Sequence, residues 1–128
     1  MKNNKMKIVY IAGPLTTGWD FKDISYIKEK IHAAEAYQVA LANDGIGAFC
    51  PHAHTQFQGE KGSIAPESYY YELDLQFLYR ADAVLAMPGW EKSVGAKIEV
   101  EWAKENNLPI FYPKSPDDIG DIIDWNNK

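Results

Sequence analysis

The sequence predicts an α/β protein, a mostly parallel sheet with helices on both faces, built as one domain from residues 1–128. Two observations predict it. Four short apolar runs alternate with helix-length amphipathic segments, the βαβαβ order of a parallel sheet. A length of 128 residues with 46% hydrophobic and 13% aromatic content suits a single packed core and leaves no room for a separate substrate domain.

Lys7 to Ala12 (KIVYIA) is a β-branched and aromatic run that stops at Gly13-Pro14, as a buried first strand ending in a sharp loop would. From Asp23 onward Ile24, Ile27, Ile31, Ala34 and Leu41 keep helical spacing, with Asp23 as a cap and Asn43-Asp44-Gly45 as a stop. Ile46 to Cys50 reads as the second strand. It runs into Pro51-His52-Ala53-His54 and a polar loop through Gly62, long enough to suggest mobility or function. A second helix is expected from Pro66 to Arg80, with an apolar stripe of Tyr70, Leu73, Phe77 and Leu78 and with Asp74 at its margin. Asp82 to Met87 is the third strand, Pro88 to Lys92 a turn, Val94 to Asn106 a third helix and Pro109 to Tyr112 the fourth strand. A short helix follows around Asp117 to Trp125.

Composition excludes several function classes. A formal net charge of −5 argues against the broad basic surface that a polynucleotide partner requires. The single cysteine, Cys50, has no internal disulfide partner and lies in an apolar run, which fits a buried thiol in a reducing, cytoplasmic setting. The apolar stretch Ile8 to Ala12 is too short for a signal-peptide core or a membrane span. His52 and His54 lack further partners at metal-ligand spacing, so no metal site is expected.

In this architecture a ligand belongs at the carboxyl ends of the strands, where four segments converge: Gly13 to Gly18, Pro51 to His54, Asp74, and Pro88 to Glu99. Ser93 is a natural N-cap, and Gly95 and Ala96 put almost no side chain on the first turn of the third helix. Glu99 follows one turn later on the same face. The small residues either open the helix start to a ligand or simply allow close helix-to-sheet packing. Asp74 is either an ordinary helix carboxylate or Glu99's partner, since two carboxyl groups in one apolar cleft can divide the work of cleaving a glycosidic bond. One of His52 and His54 can line the pocket. Gly13 to Gly18 lacks the dinucleotide and phosphate-loop patterns but suits backbone and hydroxyl contacts to a small ligand.

The combination of Tyr10-Ile11-Ala12-Gly13-Pro14, Asp74-Leu75 leading to Ala81-Asp82, and Ser93-x-Gly-Ala-x-x-Glu99 resembles the nucleoside 2-deoxyribosyltransferase superfamily over Lys7 to Tyr112. Pro88-Gly89-Trp90-Glu91 looks like its small bacterial and phage branch. The resemblance implies a flavodoxin-like (Rossmann-like) sheet and retaining cleavage of an N-glycosidic bond through a sugar ester on Glu99. It implies that Asp74 positions the sugar and assists Glu99, that Tyr10 lies beside the nucleophile, and that His52 lines the pocket. Gly13, Pro14, Thr16, Gly89, Trp90, Ser93 and Gly95 are the remaining substrate-binding candidates. Where base-exchanging members carry an aspartate this chain has Ser93, as the related 5'-monophosphate N-glycosidases do. Pro14, by contrast, replaces a serine of those hydrolases, leaving Thr16 and Thr17 as substitutes. The resemblance implies a small nucleoside or nucleotide as partner, no cofactor, and a homo-oligomer, with Trp125 and Asn126 as candidates for reaching into a neighbouring subunit.

Overall fold

A computed structural model describes residues 5–14, 24–51, 61–62 and 64–128. Asp23, Thr16, Thr17, His52 and His54 lie outside the described residues. Strand β1 (Ile8–Ala12) is followed by α1 (Ile24–Asn43), β2 (Gly47–Phe49), α2 (Glu67–Leu78), β3 (Ala83–Ala86), a 3₁₀ turn (Trp90–Lys92), α3 (Val94–Glu105), β4 (Ile110–Phe111) and α4 (Gly120–Asn126). The four strands form one sheet in the order β2-β1-β3-β4, and all three pairings are parallel. That is the flavodoxin-like order, in which the chain winds one way from β1 and then the other, leaving a switch point between β1 and β3.

Parity along the strands decides which side chain goes to which face. Successive residues of a strand point to opposite sides, so Val9 and Ile11 join Ala34, Tyr37 and Leu41 of α1 and Ile122 of α4 in one core. Tyr10 and Ala12 join Leu78 of α2 and Ala96 and Ala103 of α3 in the other. Every residue of β3 is buried, which is why these strands read as continuous apolar runs.

The expected boundaries hold to within three residues where they are described. α1 ends in turns in which the Asp44 and Gly45 N–H groups donate to Leu41 and Ala42, and Gly45 has a φ of 73°, a left-handed stop that glycine adopts without strain. α3 begins at Ser93, whose Oγ accepts a 3.2 Å hydrogen bond from the Ala96 N–H as an N-cap does.

α2 differs from its expected register of faces. Asp74 does not sit at the margin of the apolar stripe. At 100° per residue it falls between Tyr70 and Phe77 on one side and Leu78 and Leu75 on the other. Tyr70 and Leu78 are buried, and Leu75, Phe77 and Leu78 all belong to the core beneath α2 and α3. The tail is tied to its own chain. Trp125 packs against Phe111 with ring centroids 5.8 Å apart, while Lys7 donates to the Trp125 carbonyl at 2.9 Å and lies 4.9 Å above its ring. The Trp125 ring is thus half-buried against its own chain.

Candidate active site

The site is assembled by three side chains from three elements. Tyr10 is the middle residue of β1 and, by strand parity, points at the α2 and α3 side of the sheet. Its ring is fully buried and rests near Phe49, which itself stacks on Phe77 with centroids 4.2 Å apart and so ties α2 to β2. The Tyr10 hydroxyl donates a hydrogen bond to Glu99 Oε2. Glu99 stands in the second turn of α3, six residues beyond its Ser93 cap.

Asp74 approaches from α2. Its Oδ1 is buried and has no hydrogen-bond partner among the described residues. A buried carboxyl oxygen in that state costs free energy unless a donor from beyond the described residues meets it. Burial pushes Asp74 up to about 7. Burial also pushes Glu99 up to about 8, the Tyr10 hydrogen bond pulls it back, and the charge of Asp74 adds to the rise. Tyr10 itself is raised well above the usual phenol range, first by burial and then by the two carboxylates. These are the shifts expected where proton transfer is to be managed near neutral pH.

Removing the Tyr10 hydroxyl should unmask the burial effect. In Tyr10→Phe the hydrogen bond that favours ionised Glu99 is gone, so Glu99 should titrate above the wild-type value of about 8. Carboxyl NMR shifts followed against pH measure this directly; an unchanged or lowered midpoint would show that the contact does not govern Glu99.

Beside Glu99 lies a cavity of about 150 Å³ lined by Tyr71 and Leu75 of α2 and by Val94, Gly95, Ile98 and Glu99 of α3. Gly95 makes its shape possible. A Cβ at this position would come 3.3 Å from Tyr71 Cε1, closer than the ring tolerates without moving. Ala96, in contrast, is buried in the core beneath α3, so of the two small residues one shapes the cavity and the other serves packing. Tyr71, Leu75, Val94 and Ile98 were not among the site candidates read from the sequence. The available signal was spacing: Val94 and Ile98 are one helical turn apart and flank Gly95 and Glu99, and both stay exposed, 73% and 52%, although apolar.

The other candidates are distributed around this centre. Gly13 is buried and Pro14 half-buried at the end of β1. Pro14 meets Gly89, where a Cβ would sit 3.4 Å from its Cγ and where φ is 90°, so the loops after β1 and β3 touch at the switch point. Pro14 also lines a cavity of about 270 Å³ on the α1 side of the sheet. Trp90 packs with the core on the α2 and α3 side, near Tyr112 and beneath Lys104, and is not a wall of the Glu99 cavity. Ser93 accepts from the Ala96 N–H. Among the described residues no group of three or more His, Cys, Asp or Glu side chains could hold a metal ion, and no helix is long and apolar enough to cross a membrane.

A family model described as a domain of unknown function, DUF4406, matches residues 7–112. The chain belongs to the DUF4406 family. No curated protein matches it. The DUF4406 match runs from the residue before β1 to the residue after β4 and so contains Tyr10, Asp74, Gly95 and Glu99. It leaves α4, which covers part of the opposite face, outside the DUF4406 boundary.

Proposed function

We propose that this protein cleaves the N-glycosidic bond of a (2'-deoxy)nucleoside or its 5'-monophosphate through a covalent glycosyl-Glu99 intermediate, with water or a second nucleobase as acceptor. The observation that carries the reading is the junction of a buried tyrosine hydroxyl, Glu99 and a second buried carboxyl, Asp74, on the two helices that flank a cavity. Two carboxyl groups with raised pKa values suit a reaction in which one attacks carbon and the other handles a proton. The resemblance to the nucleoside 2-deoxyribosyltransferase superfamily supports the same assignment.

In this scheme the ionised Glu99 oxygen forms a bond to C1' as the C1'–N bond breaks, and the electron pair leaves with the base. The base gains a proton, for which Asp74 on the neighbouring helix is the donor at hand. Water or another base then attacks C1', regenerating the Glu99 carboxylate. Tyr10 favours the ionised carboxylate that the first step needs. Ser93 in place of an aspartate favours a monophosphate substrate and hydrolysis.

The test is base release from matched nucleosides and 5'-monophosphates, followed by chromatography with and without an added free base. Release of base with a new nucleoside in the presence of the second base indicates transfer, and release alone indicates hydrolysis. Binding across the panel with no release would replace this reading with that of a nucleotide-binding or sensing module, which the same fold can equally support. The reading includes a homo-oligomer, to which the exposed Val94 and Ile98 at the cavity are suited; sedimentation as a monomer at assay concentration would remove that part.

A further inference from the structure

We infer that the slot beside Glu99, walled by Tyr71 and the first turn of α3, is where the departing nucleobase stacks, and that Tyr71 and Gly95 set which bases are accepted. The inference rests on the glycosidic reading for its orientation, but the slot itself stands on geometry. Five of its six walls, Tyr71, Leu75, Val94, Gly95 and Ile98, offer carbon to the interior, and the sixth is Glu99. A sugar, with a hydroxyl on most carbons, would leave those groups unsatisfied against such walls. A flat heteroaromatic ring gains from them, because its faces are apolar and an aromatic neighbour adds stacking.

Size points the same way. At about 150 Å³ the slot is well below the roughly 300–1,000 Å³ of pockets that enclose a whole drug-sized ligand, so it accommodates one ring system and not a complete nucleoside. Position along α3 supplies the orientation. Val94 and Gly95 lie five and four residues before Glu99, about 6–7.5 Å along the helix axis. A sugar carbon at the Glu99 carboxylate, with its base turned toward the helix start, would place that base in the cavity, against the walls formed by Tyr71 and Gly95. Glycine at 95 lets the Tyr71 ring lie close against α3 as a wall of the cavity, since a Cβ there would stand 3.3 Å from that ring and force it to shift.

The experiment compares wild type with Tyr71→Phe, Tyr71→Leu and Gly95→Val, after circular dichroism confirms that each is folded. Two readouts are used: binding of free adenine, hypoxanthine and cytosine by saturation-transfer NMR, and KM and kcat for base release from the matching nucleosides. Tyr71→Leu, which keeps apolar bulk but removes the ring, should weaken free-base binding and raise KM about tenfold or more, with a smaller change in kcat. Tyr71→Phe should restore both to within about threefold of wild type. Gly95→Val should weaken binding of the two-ring bases more than that of cytosine. Equal KM values and an unchanged order of bases in Tyr71→Leu would overturn the inference while leaving the Glu99 chemistry standing. Free bases that bind wild type and are lost in Tyr71→Leu, in a protein that releases no base from any nucleoside, would uphold the slot and sink the glycosidic reading.

Discussion

Glu99→Gln should reduce base release by about 10³-fold or more in kcat while leaving the fold intact. Glutamine has the size of glutamate and keeps a carbonyl oxygen that can accept the Tyr10 hydroxyl, so the contact in the native protein has a counterpart in the variant. What it lacks is a nucleophilic oxygen that can form and later release an ester. Single-turnover measurement with a nucleoside or monophosphate, read by chromatography, gives the rate. Mass spectrometry of the quenched wild-type enzyme should in addition show the mass of one sugar residue on the peptide carrying Glu99, and none on the variant. Base release undiminished in Glu99→Gln would remove Glu99 as the nucleophile.

The second large effect is on stability and follows from the same carboxyl groups. Asp74 and Glu99 are raised from 3.8 and 4.5 to about 7 and about 8 in the folded protein. Below about pH 4 folded and unfolded chains both hold these protons and the shifts have no effect on stability. As pH rises through the interval the unfolded chain ionises first, so it binds fewer protons than the native state and stability falls. Above about pH 8 the penalty is complete. Asp74→Asn combined with Glu99→Gln should flatten this dependence and make the protein more stable than wild type at pH 8 by about 2–4 kcal/mol, with little difference at pH 4.5. Urea unfolding at several pH values measures it. Parallel curves for the two proteins would show that neither carboxyl is held in its neutral form by the fold. A gain of this kind in a protein that has lost its chemistry is the usual trade between stability and a site built from buried polar groups.

Most of the fold was legible because its signals are local. The apolar runs, the Asn43-Asp44-Gly45 stop and the Ser93 cap act within a few residues, and each appears where the pattern places it. Glu99 was legible for the same reason, through the small residues and the cap before it. The arrangement of Asp74 was harder to read. A stripe chosen from apolar residues alone skips a carboxylate by construction, so Asp74 fell to the edge of a face whose centre it occupies. Tyr71 was invisible for a different reason. Its relation to Gly95 spans two helices that meet only after α2 and α3 dock on the same side of the sheet. Neither periodicity nor capping carries information about that meeting.

The segment beyond Tyr112 has a consequence for anyone cutting this protein to its family boundary. Ile119 and Ile122 are buried and Trp125 packs beside them against Phe111, so α4 acts as a lid over one half of the sheet rather than as an appendage. A chain shortened to residues 7–112 would keep the candidate chemical groups yet present a bare oily strip to water, together with a Lys7 deprived of its carbonyl acceptors. Such a fragment should clump during preparation. Inactivity in it would report the missing cover, not an incompetent centre.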